Sequence, residues 1–340
     1  MSRSLALVLI AVILTVAALW FAATVFAPLA CALLIIALVW PLQARLERSI
    51  PRAVALIICI LLILAVFGAF GTIVVWAFGR VIRWLIAEAP RFQMLYTEAM
   101  AWLEARGITL AGIWSDYFSV SQVLRTLQNV SGRLNSMATF WLIVFVYVIL
   151  GLMEVDEFTR RARALDNQRL GTILVGGSRE TAFKLRRYML VRTLMSVITG
   201  LIVFGFVRFM GLGFAVEWGV IAFALNYIPF LGPFLATLFP TVFAMVQLET
   251  WQSVIWLFVG LNLVQSVIGS YFEPRVSGNA LALSPVVVLF SVFLWAFLWG
   301  IFGAFIGVPI TIAVVAFCAQ DPSSRWLAEL LGAPPRREWT

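Results

Sequence analysis

Two apolar runs in this sequence are longer than a membrane span needs, and both contain helix-breaking residues. Residues 214–246 and 285–319 each exceed about 30 residues, whereas a helix that crosses the hydrocarbon core takes about 20. The first run reads "NYIPFLGPFLATLFP" from Asn226. Proline removes a backbone donor and costs roughly 3 kcal/mol inside a helix. Interrupted backbone at membrane depth is tolerated only where protein or a water-filled cavity covers it.

The whole chain has the composition of an integral membrane protein. Of its 340 residues, 63% are hydrophobic and 12% are charged, against about 45–50% and about 25% in soluble domains. Apolar runs occur at residues 5–26, 28–40, 53–78, 137–153, 190–209, 214–246, 251–271 and 285–319. We predict an all-α polytopic fold of about eight hydrophobic segments, with broken or re-entrant helices in the C-terminal half. In the second run, Pro28 is the predicted helix start and Trp40-Pro41 the predicted stop.

The sequence lacks side chains that several enzyme classes need. It has no histidine, which is the commonest metal ligand and the usual proton carrier near neutral pH. Cys31, Cys59 and Cys318 each stand alone in an apolar run, which is typical of small buried hydrophobes. No phosphate-binding loop motif occurs, so a transporter of this sequence would draw its energy from a gradient. We predict no enzymatic activity, no cofactor and no metal site.

Basic residues cluster in the loops of one predicted side of the membrane. The net charge is +8, and the basic regions are residues 43–52, residues 154–188 and the C-terminal tail. If all three are cytoplasmic, the chain satisfies the positive-inside rule. Eight crossings then place both termini in the cytoplasm. The positive charge therefore indicates contact with anionic membrane lipids, and we predict no nucleic-acid partner.

These patterns divide the chain into six regions. They are residues 1–78 with three spans, 79–136 as an extracytoplasmic amphipathic segment, 137–153 as a fourth span, 154–189 as a basic cytoplasmic connector, 190–319 as a transport core, and 320–340 as a cytoplasmic tail. In the extracytoplasmic segment, helical spacing interrupted at Gly107 and Gly112 predicts two amphipathic helices. In the connector, Ser178 is predicted to cap the helix that leads into the next span.

A polar stripe runs along the predicted helix between the two long runs. Asn262, Gln265, Ser266, Gly269 and Glu273 fall on one helix face. Because amides and carboxylates are costly in lipid, the stripe is predicted to face inward, onto a cavity; polar packing between helices is the alternative. The predicted substrate pathway comprises Asn226, Pro229, Gly232, Pro233, Asn262, Gln265, Ser266 and Glu273. It would suit a neutral, polyol-like solute.

The segment after the stripe predicts local structure. Glu273 and Arg275 are spaced for an ion pair at a helix end, with Pro274 ending the helix. Ser284 and Pro285 fit an N-cap and first helical position. In the last run, Gly303-x-x-x-Gly307 predicts close helix packing. Arg208 and Glu217, which flank a glycine-rich link, are predicted to pair near the outer interface.

The C-terminal half resembles the autoinducer-2 exporter family, also known as PerM-type permeases. The stretches that carry the resemblance are "NYIPFLGP", "EPRVSGNALALSPVVVLFSV" and "LWGIFGAFIGVPI". The matching positions are Ile228, Pro229, Gly232, Pro233, Glu273, Pro274, Val276, Gly278, Leu283, Pro285, Gly300, Gly303 and Pro309, with Arg275 and Gly307 inside the same stretches. The resemblance implies a multi-pass secondary transporter of the bacterial inner membrane, homo-oligomeric, that moves a small solute outward.

Three functions stay open at the level of the sequence. The first is an exporter of a small polar solute of autoinducer-2 type. The second is a sodium/proton antiporter, with Glu273 or Glu217 as the exchanging carboxylate. The third is a membrane scaffold whose external segment recruits partners. The predicted partners are the solute, a coupling proton or sodium ion, membrane lipids and further copies of the chain.

Overall fold

The structure, a computed structural model, describes residues 2–106, 134–277 and 283–332. Within these ranges the chain is helical and holds no strand, which confirms the all-α prediction. The helices are α1 Ser2–Phe21, α2 Ala23–Leu46, α3 Arg52–Ala87, α4 Ala89–Glu104, α5 Leu134–Arg163, α6 Gln168–Phe209, α7 Ala215–Leu225, α8 Leu231–Gln247, α9 Trp251–Val267, α10 Glu273–Ser277, α11 Pro285–Cys318 and α12 Arg325–Leu330. A π-helical segment, Ile268–Phe272, joins α9 to α10. In the described part of the chain, six helices are long and apolar enough to cross a membrane: α2, α3, α5, α6, α9 with its π segment, and α11.

Helix α2 continues through two prolines. The predicted start at Pro28 and stop at Trp40-Pro41 are wrong, because α2 contains both prolines. Pro41 leaves the carbonyl oxygen of Ala37, four residues earlier, without its helical donor. The Nη1 atom of Arg186 in α6 donates a hydrogen bond to that oxygen at 3.2 Å. A guanidinium from another helix thus replaces the missing backbone donor.

Both polar connectors are more helical than the sequence predicts. Helix α3 extends to Ala87, past the predicted boundary at residue 79. Helix α4 is the first of the two predicted amphipathic helices, and the second falls outside the described residues. The predicted cap at Ser178 is wrong, since α6 begins at Gln168, where the side chain of Asn167 accepts the Leu170 N–H at 3.1 Å.

Residues 214–246 form a helical hairpin, which we call hairpin 1. Helices α7 and α8 have 11 and 17 residues and are thus about 16 and 26 Å long, short of a hydrocarbon core of about 30 Å. The N–H of Gly213, before α7, donates to Oε1 of Gln247, at the end of α8, at 2.7 Å. The rings of Trp218 and Phe243 pack edge to face with centroids 5.2 Å apart. The run therefore begins and ends at the same end of the bundle.

Residues 285–319 also fold back on themselves, as hairpin 2. The Ser291 hydroxyl donates to the carbonyl oxygen of Gly307 at 2.8 Å, whereas a straight helix would separate these residues by about 24 Å. The reversal occurs at Gly300, whose φ of 65° and ψ of −143° suit glycine. A Cβ on Gly303 would overlap the carbonyl oxygen of Trp295. The predicted close packing at Gly303-x-x-x-Gly307 is therefore confirmed, between the two arms of one hairpin.

The two hairpins have their bases at opposite ends of α6. Hairpin 1 follows Phe209, the last residue of α6. The base of hairpin 2 is held to the start of α6 by an ion pair between Asp321 and Arg169. Hydrogen bonds from Ser323, together with Arg169, lower the pKa of Asp321 below its usual range, so the carboxylate is ionised at neutral pH. We call the end with Arg169 and Asp321 the basic end.

Helix α6 and hairpin 1 cross at two glycines. A Cβ on Gly200 of α6 would lie 2.8 Å from the carbonyl oxygen of Gly219 in α7, and the converse distance is also 2.8 Å. Phe204 and Phe223 close the two sides of this crossing. Small residues at such a crossing let backbones approach closely. Hairpin 1 therefore lies directly on α6.

We predict that Gly303→Ala destabilises the protein by about 1–3 kcal/mol, because the arms of hairpin 2 must separate to admit a methyl group. The matched control is Gly205→Ala in α6, where an added Cβ meets nothing within 4 Å. That control should be neutral or gain up to about 1 kcal/mol of helix propensity. Thermal unfolding in detergent measures both. If the two variants melt at the same temperature, the fold-back at Gly300 is contradicted.

Candidate functional site

One face of α6 is polar within a helix that crosses the membrane. Its residues recur every three or four positions and are each less than a tenth exposed: Tyr188, Arg192, Ser196 and Thr199. We call them the α6 polar face. Tyr188 precedes the apolar stretch 190–209, Arg192 lies at its start, and the other two lie deeper within it. Polar and ionisable groups at such depth are functional candidates by default.

The tip of hairpin 1 packs on the α6 polar face. The Asn226 side chain donates from Nδ2 to the Ser196 hydroxyl at 3.2 Å. The Tyr227 hydroxyl donates to Thr193 Oγ1 at 2.9 Å. Ser196 precedes Phe209 by about 20 Å of helix. The tip therefore reaches roughly two thirds of the way through a hydrocarbon core of about 30 Å.

The proline- and glycine-rich stretch builds this tip. Pro229 is buried, and Pro233 lies in the first turn of α8, where a missing N–H costs little. A Cβ on Gly232 would overlap the carbonyl oxygen of Leu225, so glycine is required where α7 and α8 touch. Phe230 has φ of +62°, a strained backbone for a bulky residue. The breaks reverse the chain inside the bundle, with residues 226–229 buried and Phe230 half exposed.

An ion pair lies at the basic-end limit of the α6 polar face. Arg192 is 5% exposed, and its Nη1 lies 2.8 Å from Oε1 of Glu273, whose side chain is 34% exposed. The predicted pair between Glu273 and Arg275 is wrong, because the Arg275 guanidinium instead lies 3.4 Å from the ring centroid of Tyr271. Pro274 does not end the helix, since α10 runs from Glu273 to Ser277. The true partner of Glu273 is therefore 81 residues away.

Unpaired polar atoms concentrate in this region. In the described residues, seven buried side-chain nitrogen or oxygen atoms have no hydrogen-bond partner. Four of them lie on the α6 polar face or on the facing side of α9: Tyr188 OH, Arg192 Nε, Thr199 Oγ1 and Gln265 Nε2. Gln265 stands next to Val264, which packs on α6 together with Ile268. Each unpaired group costs about 1–3 kcal/mol, which makes this part of the bundle a candidate functional site.

The structure brings together part of the predicted pathway. Asn226 and Glu273 hydrogen-bond to the α6 polar face, and the prolines and glycine form the hairpin tip. Gln265 lies beside Val264, which packs on α6. Asn262 and Ser266 lie exposed on the other side of α9, and the Asn262 amide donates back to the Phe258 carbonyl oxygen at 2.8 Å. The expectation that the whole stripe faces inward is therefore wrong for these two in the single chain. Their role in a pathway stays a prediction.

The predicted motif residues of the last run mostly frame hairpin 2. Pro285 begins α11, and the Ser284 hydroxyl accepts the Val287 N–H at 3.3 Å, which confirms the predicted cap. Pro309 is buried in the second arm. Gly278 lies outside the described residues. These positions shape the hairpin, and none of them adds a polar side chain to the α6 polar face.

A family model described as AI-2E family transporter matches residues 9–320 of the chain. The chain belongs to the AI-2E transporter family. It is 26% identical over 322 residues to the AI-2 transport protein TqsA of Escherichia coli (strain K12), covering 92% of this chain and 90% of TqsA. It is also 26% identical over 298 residues to YhhT of the same organism, covering 84% of this chain and 82% of YhhT.

Family membership and fold agree on the general activity. This AI-2E transporter is a multi-pass bacterial membrane protein that moves a small solute in a lipid environment. The resemblance seen in the sequence motifs is confirmed over nearly the whole chain. The relatives support the family and the transporter class.

This AI-2E transporter has a second ion pair at the base of hairpin 1. Glu217 is 3% exposed, and its Oε1 lies 2.7 Å from Arg80 Nη1. The prediction that Glu217 pairs with Arg208 is therefore wrong. Glu217 lies in the first turn of α7, where the helix dipole favours a carboxylate. Arg80 and Glu217 line an open cleft of about 490 Å³. Arg208, Trp76 and Phe214 line the same cleft. The pair anchors hairpin 1 to α3.

Sequence reasoning missed most of the α6 polar face. Tyr188 falls in the predicted connector, and Arg192, Ser196 and Thr199 fall in an apolar run that reads as a plain span. The signal available was Arg192 itself, an ionisable residue inside that run. The polar stripe on α9 identified Glu273 as a candidate, but no local sequence pattern links Glu273 to Arg192.

We predict that Glu273→Gln destabilises the transporter by about 3 kcal/mol, because Arg192 then stays buried without its charged partner. The expected loss of stability lies at the low end of the range for buried ion pairs, because the Glu273 side chain is 34% exposed. The control is Glu329→Gln, which breaks the more exposed pair with Arg325 and should cost about 0–1 kcal/mol. Thermal or denaturant unfolding in detergent measures both. Equal stability of the two variants would contradict a structural pair at Arg192.

Proposed function

We propose that this AI-2E transporter exports a small polar solute of the autoinducer-2 type across the bacterial inner membrane by secondary transport. The observation that carries the proposal is the α6 polar face, with its unpaired buried groups beside the tip of hairpin 1. A small solute rich in oxygen can satisfy several such groups at once. The relative TqsA, an AI-2 transport protein, supports the solute type.

The polar groups give the solute a route along α6. It would begin at the partly exposed Glu273 beside Arg192 and continue past Ser196 and Asn226 at the hairpin tip. Thr199 and Gln265, each with an unpaired atom, offer the next partners. Along this route hydrogen bonds to protein replace those to water, which lowers the cost of moving a polar solute through hydrocarbon.

We place the basic end in the cytoplasm by the positive-inside rule. Each hairpin returns to its own end of α6, so the two hairpins together remove two crossings from the predicted eight. With residues 5–26 as a crossing of their own, as predicted, six crossings remain and both termini are cytoplasmic. A solute that binds first near Arg192 therefore comes from the cytoplasm, which supports export. A proton or sodium gradient would supply the energy.

We also propose that the transporter is a homo-oligomer. Asn262 and Ser266 are exposed on the single chain along a helix that crosses the membrane. Polar side chains facing acyl chains are unfavourable, whereas polar groups between packed helices hydrogen-bond across the interface. A second copy of the chain would cover this side of α9 and give both residues partners.

We predict that Gln265→Leu leaves the protein folded and lowers solute efflux about 10-fold or more. Folding is retained because the Gln265 Nε2 has no partner to lose. Efflux falls because a donor on the route is lost. The matched control is Gln252→Leu, the same change at an exposed position of the same helix. The measurement is efflux of AI-2 from loaded proteoliposomes, and unchanged efflux from folded Gln265→Leu would contradict this route.

The antiporter alternative predicts a different behaviour of the same vesicles. Both of its candidate carboxylates, Glu273 and Glu217, are bonded to guanidinium groups. Arginine stays charged at all relevant pH values, so protonating either carboxylate would leave a guanidinium without its counter-ion. This pairing favours solute transport over proton exchange. Sodium pulses given to inverted vesicles with a pH dye separate the two, since only the antiporter responds in the absence of solute.

The scaffold alternative depends on the external segment. It predicts that deleting much of residues 79–136 abolishes function while Gln265→Leu has no effect. The proposed transporter predicts the reverse for Gln265→Leu. The buried, unpaired groups on α6 favour transport, because a scaffold gains nothing from unsatisfied polar atoms inside the membrane.

A further inference from the structure

The guanidinium of Arg192 has one buried edge without a partner. Its Nη1 donates to Glu273 Oε1 at 2.8 Å, and the Tyr188 hydroxyl lies against the same guanidinium. The Nε–H is buried and has no partner. A guanidinium carries five N–H donors in a fixed planar fork. The edge that includes Nε can therefore donate to an acceptor that the protein itself does not supply.

The unpaired groups on α6 and α9 share a chemical bias. Arg192 Nε and Gln265 Nε2 can only donate hydrogen bonds, and the hydroxyls of Tyr188 and Thr199 can donate as well as accept. The single unpaired atom of the described residues that can only accept, Gln43 Oε1, lies on α2. A ligand for this site must therefore bring acceptors. A neutral polyol adds a donor with every hydroxyl, whereas a carboxylate or a fully ionised oxyanion brings acceptors alone.

We propose that Arg192 binds an oxyanion of the transported solute through its Nε edge, so that the substrate class is small organic anions carrying a carboxylate, phosphate or equivalent group. This inference rests on the proposed function and refines its solute from polar to anionic. Arginine forks match planar oxyanions with two parallel hydrogen bonds, which are stronger than neutral ones. Tyr188, one helical turn from Arg192, supplies a donor for a remaining oxygen.

Glu273 keeps the arginine charge neutralised while the site is empty. Without it, the 5% exposed guanidinium would be buried alone. Glu273 directly follows the π-helical segment Ile268–Phe272. Such segments interrupt the regular helix and are frequent at functional sites. The bound oxyanion either joins Glu273 at a second edge of Arg192 or displaces it, and in both cases Arg192 supplies the positive charge.

The test is thermal unfolding of the purified transporter in detergent with sodium acetate, phosphate, sulfate and borate. Sodium chloride at equal ionic strength is the reference, and glycerol is the neutral arm. Arg192→Lys keeps the charge facing Glu273 but has no Nε–H fork. Arg179→Gln removes an exposed guanidinium from the same helix and is the matched control. The double variant Arg192→Gln with Glu273→Gln leaves no unpaired charge and serves if Arg192→Lys does not fold.

We expect at least one oxyanion to raise the unfolding temperature of the wild type and of Arg179→Gln above the chloride reference. In the Arg192 variants its apparent affinity should fall about 10-fold or more. Three results would overturn the inference: no oxyanion effect in the wild type, an effect that survives in the Arg192 variants, or an Arg192-dependent effect of glycerol alone. None of these three results changes the outcome of the Gln265→Leu efflux experiment. The proposed export is therefore tested independently of this inference.

Discussion

Hydrocarbon offers no hydrogen-bond partners, so every interrupted helix and every buried charge in this protein must be completed by another helix. Helix α6 does this at three places. Its Arg186 donates to the Ala37 carbonyl oxygen that a proline in α2 leaves free. Its Ser196 accepts from the tip of hairpin 1, and its Arg192 neutralises Glu273. The fold of the C-terminal half depends on this one helix remaining continuous.

The same constraint underlies the solute route that we propose. Two hairpins reach into the bundle from opposite ends and meet where Tyr227 stacks on Phe305, with ring centroids 5.4 Å apart. Each tip carries backbone that lipid could not cover, and α6 lies beside hairpin 1 along the crossing at Gly200 and Gly219. Polar side chains at membrane depth find hydrogen-bond partners only in this covered interior. The proposed pathway for a polar solute therefore follows the interface between α6, hairpin 1 and α9.

The sequence carries enough to predict the fold class and both interruptions, because run length and helix breakers are local signals. The cap at Ser284 and the close packing at Gly303 are local too, and both predictions are confirmed. The continuation of α2 through Pro41 depends on a donor 149 residues away, and the pairing of Glu273 depends on one 81 residues away. Such partners are set by tertiary packing. The inward face of α9 was predicted only in part for the same reason, since its packing partners decide which side is buried.

The central claim is that the α6 polar face becomes hydrated during transport instead of staying sealed. Cysteine accessibility tests it most directly, in a background whose three native cysteines are replaced. Thr199→Cys should react with a small membrane-impermeant thiol reagent, because Thr199 lies on the route with its hydroxyl unpaired. Val203→Cys, one turn further and equally buried, should stay protected. Equal protection of both cysteines in transport-active vesicles would contradict the account.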